Sequence, residues 1–400
     1  MARRQLHPDS PWLLALLAAL VALGPLSVDM YLPAMPSMMR AFDTDISQMH
    51  LTLSSYLTGF ALFHLACGPL ADRFGRKPLL LGGTLLFVAA CAGCSRSDTI
   101  GELLFYRFLQ GIGACVGPTL ARAVARDVFG PTGAARALSL IAMMMALAPA
   151  IAPTLGGVLL LVLPWPSVFI FLALYGAAMM ILIQVFLPES LPQVQSLHPR
   201  IIARNYGELL VDPFFLTVTI TSGLVYSGLM VYLASSSFVF IDMLGVPRQY
   251  FGLIFLGSVV GYMAGSALSA RLSRQHDSER IMRVGVLQAM AASGLLLLSC
   301  YAWPESVLAL MLPMILYSTA MGLVLPHAMA IALRPFAHIA GTASALLGFI
   351  QMSLSAGASA LIGTFLTTTP KPMVWMLLLI SLVSLLLGQR AHTLYIRTKP

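Results

Sequence analysis

The segment Gly68-Pro-Leu-Ala-Asp72-Arg73-Phe-Gly75-Arg76-Lys77-Pro78 places four charges within six residues, and long apolar runs flank it on both sides. Charge of this density cannot lie in hydrocarbon, so the segment must turn at a membrane face. Gly75 permits a sharp bend, and Pro78 suits the first turn of a following helix. The segment therefore predicts two membrane-spanning helices joined by a tight, charged loop.

The composition of the whole chain agrees with a membrane protein. Of its 400 residues, 58% are hydrophobic and only 10% are charged, against about 25% charged in a soluble domain. A spanning helix needs about 20 mostly apolar residues. We predict an all-α membrane protein of twelve transmembrane helices, the first retained rather than cleaved as a signal, at 12–33, 47–70, 78–95, 101–124, 136–161, 166–187, 213–240, 250–270, 282–302, 306–327, 338–366 and 372–390.

The net charge of +8 follows from topology rather than from nucleic-acid binding. If the N-terminus is inside, 18 of the 23 Lys and Arg residues lie inside, four lie outside, and Arg107 alone falls well within a span. This bias follows the positive-inside rule, so we expect both termini in the cytoplasm.

A polar stretch at 188–212 divides the spans six and six. We predict an N-terminal six-helix bundle at 1–187, a cytoplasmic linker at 188–212 and a C-terminal six-helix bundle at 213–400. A weak repeat supports the division, because the run that starts at Gly265 follows span eight as the run from Gly68 follows span two, with Ser269 in the place of Asp72. Two such repeats are typical of transporters with a site near the bilayer midplane.

Two charged residues stand within the apolar runs. Asp29 is the one acid of 15 that we place deep in a span. A carboxyl group there is poorly solvated when ionised, so it can hold a proton near neutral pH or contact a cation. The alternative, in which Asp29 lies at the helix end in contact with outer water, is left open. Arg107 lies about 9 Å into span four, so the two side chains could hydrogen-bond directly or through water, or form a fixed ion pair.

Histidine and cysteine patterns give no strong chemical signature. Cys91 and Cys94 form a Cys-x-x-Cys pair inside a predicted helix, where helix packing is the favoured interpretation and metal or redox use the alternative. His64 is the one histidine expected well inside a span, more as a packing residue than as a proton carrier. We predict no metal and no cofactor. We also predict that ATP does not drive this chain, since no Gly-x4-Gly-Lys-Ser/Thr loop is present.

Several motifs together carry a resemblance to a known family. The charged loop resembles that of major facilitator superfamily transporters, with matches at Gly68, Asp72, Arg73, Gly75, Arg76 and Lys77. Span five is similar to the antiporter motif of drug/proton exporters at Pro149, Pro153, Gly156 and Gly157, with Ala152 replacing a glycine. With Asp29-Met-Tyr-Leu-Pro33, Arg107, Gln110 and the run from Gly341 to Ala345, the chain resembles Bcr/CflA-type exporters of the drug:proton antiporter branch.

The resemblance implies a proton-coupled secondary transporter of a bacterial inner membrane. It would export small, partly apolar compounds such as chloramphenicol or bicyclomycin by alternating access. Asp29 and Arg107 would couple transport to protons, and the charged loop and span-five motif would act in gating, with Arg76 paired to Asp127 and Asp72 facing the start of span eleven. Candidate substrate contacts are Asp29, Tyr31, Tyr56, Arg107, Gln110, Met144, Tyr226, Tyr232 and Gln351.

The expected partners are a small-molecule substrate, protons and the lipid bilayer, with no nucleic acid and a monomeric chain. The alternative function is transport of a metabolite, such as a nucleoside, a sugar or an amino-acid derivative, by the same fold and in either direction. A membrane-embedded enzyme is disfavoured, because no nucleophile with a base and no metal-ligand set lies at membrane depth.

Overall fold

The computed structural model describes residues 10–191 and 199–398, and in these ranges every regular element is a helix. The side chains of residues 130–140 and 142–146, including the predicted substrate contact Met144, lie outside the described residues. The α-helices are α1 (Pro11–Asp29), α2 (Met35–Ala41), α3 (Ile46–Phe74), α4 (Arg76–Ser95), α5 (Ile100–Val162), α6 (Pro166–Phe186), α7 (Pro199–Val211), α8 (Pro213–Ser236), α9 (Phe251–Leu272), α10 (Ser278–Ala302), α11 (Val307–Leu333), α12 (Ala340–Phe365) and α13 (Lys371–Thr398).

The first membrane span is longer than the sequence predicted. The prediction ended at residue 33, whereas an apolar helical stretch runs over Trp12–Ala41, through a 3-10 turn at Leu32–Ala34 between α1 and α2. Pro33 and Pro36 did not stop it, because each occupies the start of a new helical segment, where proline is tolerated. Asp29 therefore lies at a break inside the span rather than at a helix end in contact with water. Only 3% of its surface is exposed.

Helix α5 cannot be one straight rod. Its 63 residues would extend about 95 Å, roughly three times the hydrocarbon thickness. Moreover, Arg107 donates a hydrogen bond to the carbonyl of Ser27, and a Cβ on Gly156 would collide with the carbonyl of Met30. A straight helix would hold positions 107 and 156 about 74 Å apart, so α5 must reverse direction and supply two spans.

The number of spans agrees with the prediction. Within the described ranges, ten helical stretches are long and apolar enough to cross a membrane. Together with the two spans of α5 they give twelve, as the sequence predicted at 101–124 and 136–161 for the two that α5 contains.

The polar stretch between the sixth and seventh spans contains a helix that the sequence analysis did not anticipate. Helix α7 occupies Pro199–Val211 and buries Leu209, while Ile201 and Leu210 stay exposed. Polar and apolar residues alternate here at helical spacing over a length too short to suggest a span.

The chain divides into two compact units. Unit 1 comprises Met1–Asp43 and Ser55–His198, and unit 2 comprises Thr44–Ser54 and Pro199–Pro400. The first turns of α3 therefore belong to unit 2, and the same helix continues into unit 1. The bundles expected at 1–187 and 213–400 remain a prediction, because these units are defined by contacts and not by membrane topology.

We predict that Gly156→Ala lowers stability by about 1–3 kcal/mol, because the added Cβ meets a backbone carbonyl that cannot move aside cheaply. The measurement is thermal unfolding of the detergent-solubilised chain. Gly82→Ala is the matched control in unit 1, since nothing lies within 4 Å of its added Cβ. Equal melting temperatures for the two variants would contradict the close approach of α5 to α1.

Candidate functional site

Arg107 is the centre of the candidate site in unit 1. Its side chain on α5 has no exposed surface, although a guanidinium stays charged at any pH at which the protein folds. Nη1 donates to the carbonyl of Ser27 at 3.2 Å and to Oε1 of Gln110 at 2.6 Å. Gln110 in turn donates from Nε2 to Sγ of Cys91 at 3.1 Å. These bonds fix the guanidinium beside the last turn of α1.

Aromatic rings complete the surroundings of the guanidinium. Its central carbon lies 4.2 Å from the ring centroid of Tyr31, 4.6 Å from that of Tyr56 and 6.0 Å from that of Phe169. The negative face of an aromatic ring attracts a cation, most strongly where water is absent. The rings therefore offset part of the cost of burying the charge. Phe169, on α6, is a member of this cluster that the sequence analysis missed.

Asp29 lies in the same layer as Arg107 but is not paired with it. The carbonyl that accepts from Arg107 belongs to Ser27, two residues before Asp29 on α1. Among the described residues, no carboxylate oxygen lies within 4.0 Å of a nitrogen of Arg107, and Nε and Nη2 have no hydrogen-bond partner. The shared depth expected from the sequence is thus present, whereas the direct hydrogen bond and the fixed ion pair are not.

The remaining predicted contacts lie in unit 2. Tyr232, on α8, is fully buried, with its ring centroid 6.0 Å from that of Phe240 and its hydroxyl without a hydrogen-bond partner among the described residues. Tyr226, also on α8, and Gln351, on α12, are half-buried. Two predicted contacts, Tyr31 and Tyr56, belong instead to the Arg107 cluster of unit 1.

The charged loop joins α3 to α4 through a residue that only glycine suits. Gly75 has φ +101°, and a Cβ there would also approach Oε2 of Glu189 to 2.6 Å. Glu189 accepts from the backbone N–H groups of Arg76 at 3.0 Å and of Lys77 at 3.2 Å. A carboxylate thus caps the positive N-terminus of α4.

Lys77 makes the reciprocal contact at the end of α6. Its Nζ donates to the carbonyls of Gln184 at 2.9 Å and of Leu187 at 2.7 Å, where free carbonyls and the helix dipole favour a cation. Glu189, just after α6, therefore caps the start of α4, and Lys77, at the start of α4, caps the end of α6. The sequence analysis did not single out Glu189, although an acid directly after a span, on the face where the charged loop turns, was an available signal.

The other charges of the loop form a small network. Arg76 contacts Oδ1 of Asp72 at 2.7 Å and Oδ2 of Asp127 at 3.2 Å, so the Arg76–Asp127 pair expected from the resemblance is confirmed. The network joins the inner part of the loop to α5. Arg73 points away as an exposed side chain, and Gly68 is half-buried within α3.

The span-five motif lies on the second part of α5. Pro153, Gly156 and Gly157 are buried and Pro149 is half-buried. Gly156 contacts the turn that follows Asp29, which places this motif against the break in the first span.

The buried cysteines and histidines show one error in the sequence analysis. All five cysteines are free and buried, and in the described part of the chain no group of three or more His, Cys, Asp or Glu residues could hold a metal ion. His64 is half-buried and lies 3.8 Å from Sγ of Cys115. His50, which was expected at the edge of the span predicted at 47–70 rather than well inside it, is fully buried on α3, because α3 starts at Ile46 and is packed from its first turns.

Comparison with known proteins gives a consistent result. The sequence profile described as Major Facilitator Superfamily matches residues 17–360. The chain is 33% identical to the uncharacterized MFS-type transporter YdgK of Bacillus subtilis over 88% of this chain and 89% of that protein. It is 28% identical to the bicyclomycin resistance protein homolog of Haemophilus influenzae, over 90% of each. It is 30% identical to the multidrug resistance protein MdtL of Escherichia coli, over 84% of each.

Solved structures share the fold at low sequence identity. The xylose transporter XylE from E. coli, in a partially occluded inward open conformation, matches 95% of this chain and 97% of its own with a TM-score of 0.73 and 14% identity. A bacterial homolog of the human lysosomal transporter Spinster, inward-facing and occupied, gives a TM-score of 0.71 at 16% identity over 97% of each chain.

We predict that Glu189→Ala lowers stability by about 1–2 kcal/mol, since two backbone N–H groups lose their acceptor. Glu189→Gln keeps an acceptor oxygen and should lose less, about 0.3–1 kcal/mol. Thermal unfolding in detergent measures both. Glu305→Ala, an exposed acid before α11, is the control and should be neutral. A loss that is the same for Glu189→Ala and Glu305→Ala would exclude the cap.

Proposed function

Because this chain belongs to the major facilitator superfamily, we propose that it is a proton-coupled exporter of small, partly apolar compounds. It is a multi-pass transporter of small molecules in the bacterial inner membrane, and relatives are named for resistance to bicyclomycin and to multiple drugs. The observation that carries the proposal is the buried Asp29 in the layer of Arg107, which has no carboxylate partner among the described residues. We further propose that the chain acts as a monomer with both termini in the cytoplasm.

Proton exchange at Asp29 is the proposed coupling step. We propose that an ionised Asp29 moves toward Arg107, because little water would screen the attraction between the two charges there. Arg107 has donors available at Nε and Nη2, so the carboxylate could turn to bond them. Protonation removes the charge on Asp29 and ends the attraction. A substrate that binds only when Asp29 is ionised would compete with the proton.

The proposed substrate contacts combine aromatic rings with a few polar groups. In unit 1 these are Tyr31, Tyr56 and Gln110 around Arg107. In unit 2 they are Tyr226, Tyr232 and Gln351, and the hydroxyl of Tyr232 has no hydrogen-bond partner in the described part of the chain. Rings and amides suit compounds that are partly apolar and carry few hydrogen-bonding groups.

The loop network and the span-five motif are the proposed gating elements. The Asp72–Arg76–Asp127 contacts join the end of α3 to α5, and Glu189 and Lys77 hold α4 and α6 together beside them. Such contacts stabilise one conformation without touching the Arg107 cluster.

Asp29→Asn should abolish accumulation driven by a pH gradient. The amide keeps the shape of the carboxyl group but cannot carry the proton, so we expect at least about a tenfold loss of accumulation. The measurement is uptake into vesicles containing the purified chain, with an imposed pH gradient and a panel that includes chloramphenicol, bicyclomycin, nucleosides and sugars.

Asp43→Asn is the matched control for this assay. Asp43 is exposed and has φ +48°, a conformation that asparagine tolerates. Full accumulation by Asp29→Asn would remove this residue from coupling, and accumulation without a gradient would favour a uniporter. Accumulation of a nucleoside or sugar alone would favour the metabolite alternative.

Arg76→Gln should slow conformational exchange and leave ligand affinity within about twofold, because the contacts it removes lie away from the Arg107 cluster. Transport turnover and equilibrium binding of an accumulated compound separate these effects. Arg96→Gln is the matched control, since it removes an exposed positive charge at the opposite end of α4, outside the charged loop. Equal turnover in both variants and in the unmodified chain would argue against a gating role.

A further inference from the structure

His50 is a fully buried titratable residue that the proposed coupling step does not use. It lies on the second turn of α3, in the Thr44–Ser54 segment that belongs to unit 2. Its imidazole stacks on Phe238, with ring centroids 5.8 Å apart. A Cβ added to Gly363 of α12 would lie 2.5 Å from Cβ of His50, so the two helices are in direct contact here.

One hydrogen bond determines which nitrogen of the neutral imidazole carries the hydrogen. Nδ1 lies 3.1 Å from the backbone carbonyl of Ser359 on α12. A carbonyl oxygen can only accept, so Nδ1 must carry the hydrogen. In the neutral ring, Nε2 is therefore the nitrogen with the free lone pair, and an added proton must bind there.

The surroundings of Nε2 offer nothing to an added proton. Nε2 is buried without a hydrogen-bond partner among the described residues, and so is the hydroxyl of Ser359. Both groups forgo the bonds that water would give them, which weakens the packing of α3 on α12. The contact between α3 and α12 thus excludes water but leaves these two polar atoms without hydrogen bonds.

None of the contacts that the structure describes for His50 is with a charged group. They are with Ser54 of α3, with Phe238 of the π-helical segment Ser237–Met243, and with Ser359 and Gly363 of α12. The acids nearest along these segments, Asp45 and Asp242, are exposed. In the described part of the chain, no carboxylate oxygen lies within 4.0 Å of the ring.

We propose that His50 is a proton-binding site whose protonation releases the first turns of α3 from α12. A proton on Nε2 would create a buried cation with one hydrogen bond and no counter-ion, which the packed arrangement tolerates poorly. Separation of the two helices lets water solvate the imidazolium. The neutral ring restores the bond to Ser359 and the stacking on Phe238.

His50 lies on the same helix as a residue of the Arg107 cluster. Tyr56 of the Arg107 cluster follows six residues later on the same helix, about 9 Å along its axis. Release at His50 would therefore change how the helix that carries Tyr56 is held at its start. Release at His50 is a property of the chain itself and does not depend on which compound is transported.

Hydrogen–deuterium exchange of the full chain in lipid nanodiscs, without substrate, tests the site. The pH is lowered from about 7.5 to about 5.5, across the ordinary range of histidine, and rates are corrected for intrinsic exchange. We expect amides of residues 44–54 and 359–365 to exchange at least about fivefold faster at the lower pH. No acceleration in the unmodified chain would overturn the proposal.

His50→Asn is the decisive variant. Its side-chain amide keeps a donor near the position of Nδ1 and cannot take up a proton, so exchange should be slow at both pH values. His338→Asn is the matched control, because His338 is an exposed histidine of unit 2 that pairs with Glu208 at 3.5 Å. It should keep the response of the unmodified chain. An unchanged pH response in His50→Asn would overturn the proposal.

A second pair of variants keeps the test decisive if His50→Asn does not fold. Gly363→Ala crowds His50 and should accelerate exchange of residues 44–54 at both pH values. Gly357→Ala is its control on α12, with nothing within 4 Å of the added Cβ. Slow exchange in Gly363→Ala at the higher pH would show that this contact does not hold the first turns of α3.

Discussion

A guanidinium with no exposed surface, and with no carboxylate beside it among the described residues, is the constraint on which unit 1 depends. Its burial is tolerable only because a carbonyl, an amide and three aromatic rings contact it together. These groups come from α1, α3, α5 and α6, so the charge requires four helices to meet in one layer. If these helices did not meet, the guanidinium of Arg107 would be buried without compensating contacts. The packing of the unit and the chemistry of its site therefore depend on each other.

The break in the first span belongs to the same arrangement. Helix α1 ends at Asp29, and the chain continues through a 3-10 turn into α2. The break leaves the carboxyl group inside the span, two residues from the carbonyl that holds Arg107. A carboxyl group and a guanidinium thus share a layer of unit 1 without forming a salt bridge.

Several features could be predicted from the sequence because they depend on local chemistry. The apolar runs predicted the spans, and their depth placed Asp29 and Arg107 in one layer. Of the contacts that the sequence left open between them, the direct hydrogen bond is absent, since rotamers and neighbouring acceptors decide which partner a guanidinium takes. The end of the first span was wrong because Pro33 and Pro36 resemble stop signals, although proline can also open a new turn. Glu189 was missed because its partners are backbone groups 112 and 113 residues away.

The sequence by itself determined that this chain lies in a membrane, how many times it crosses, and which charges must be buried. Hydrocarbon imposes these outcomes segment by segment, since each helix must satisfy its own backbone and hide its own polar groups. Only the tertiary structure decided which side chains meet: the rings on Arg107, the reciprocal caps of α4 and α6, and the burial of His50 against α12. Contacts of this kind depend on the position and rotation of whole helices, which no single segment specifies.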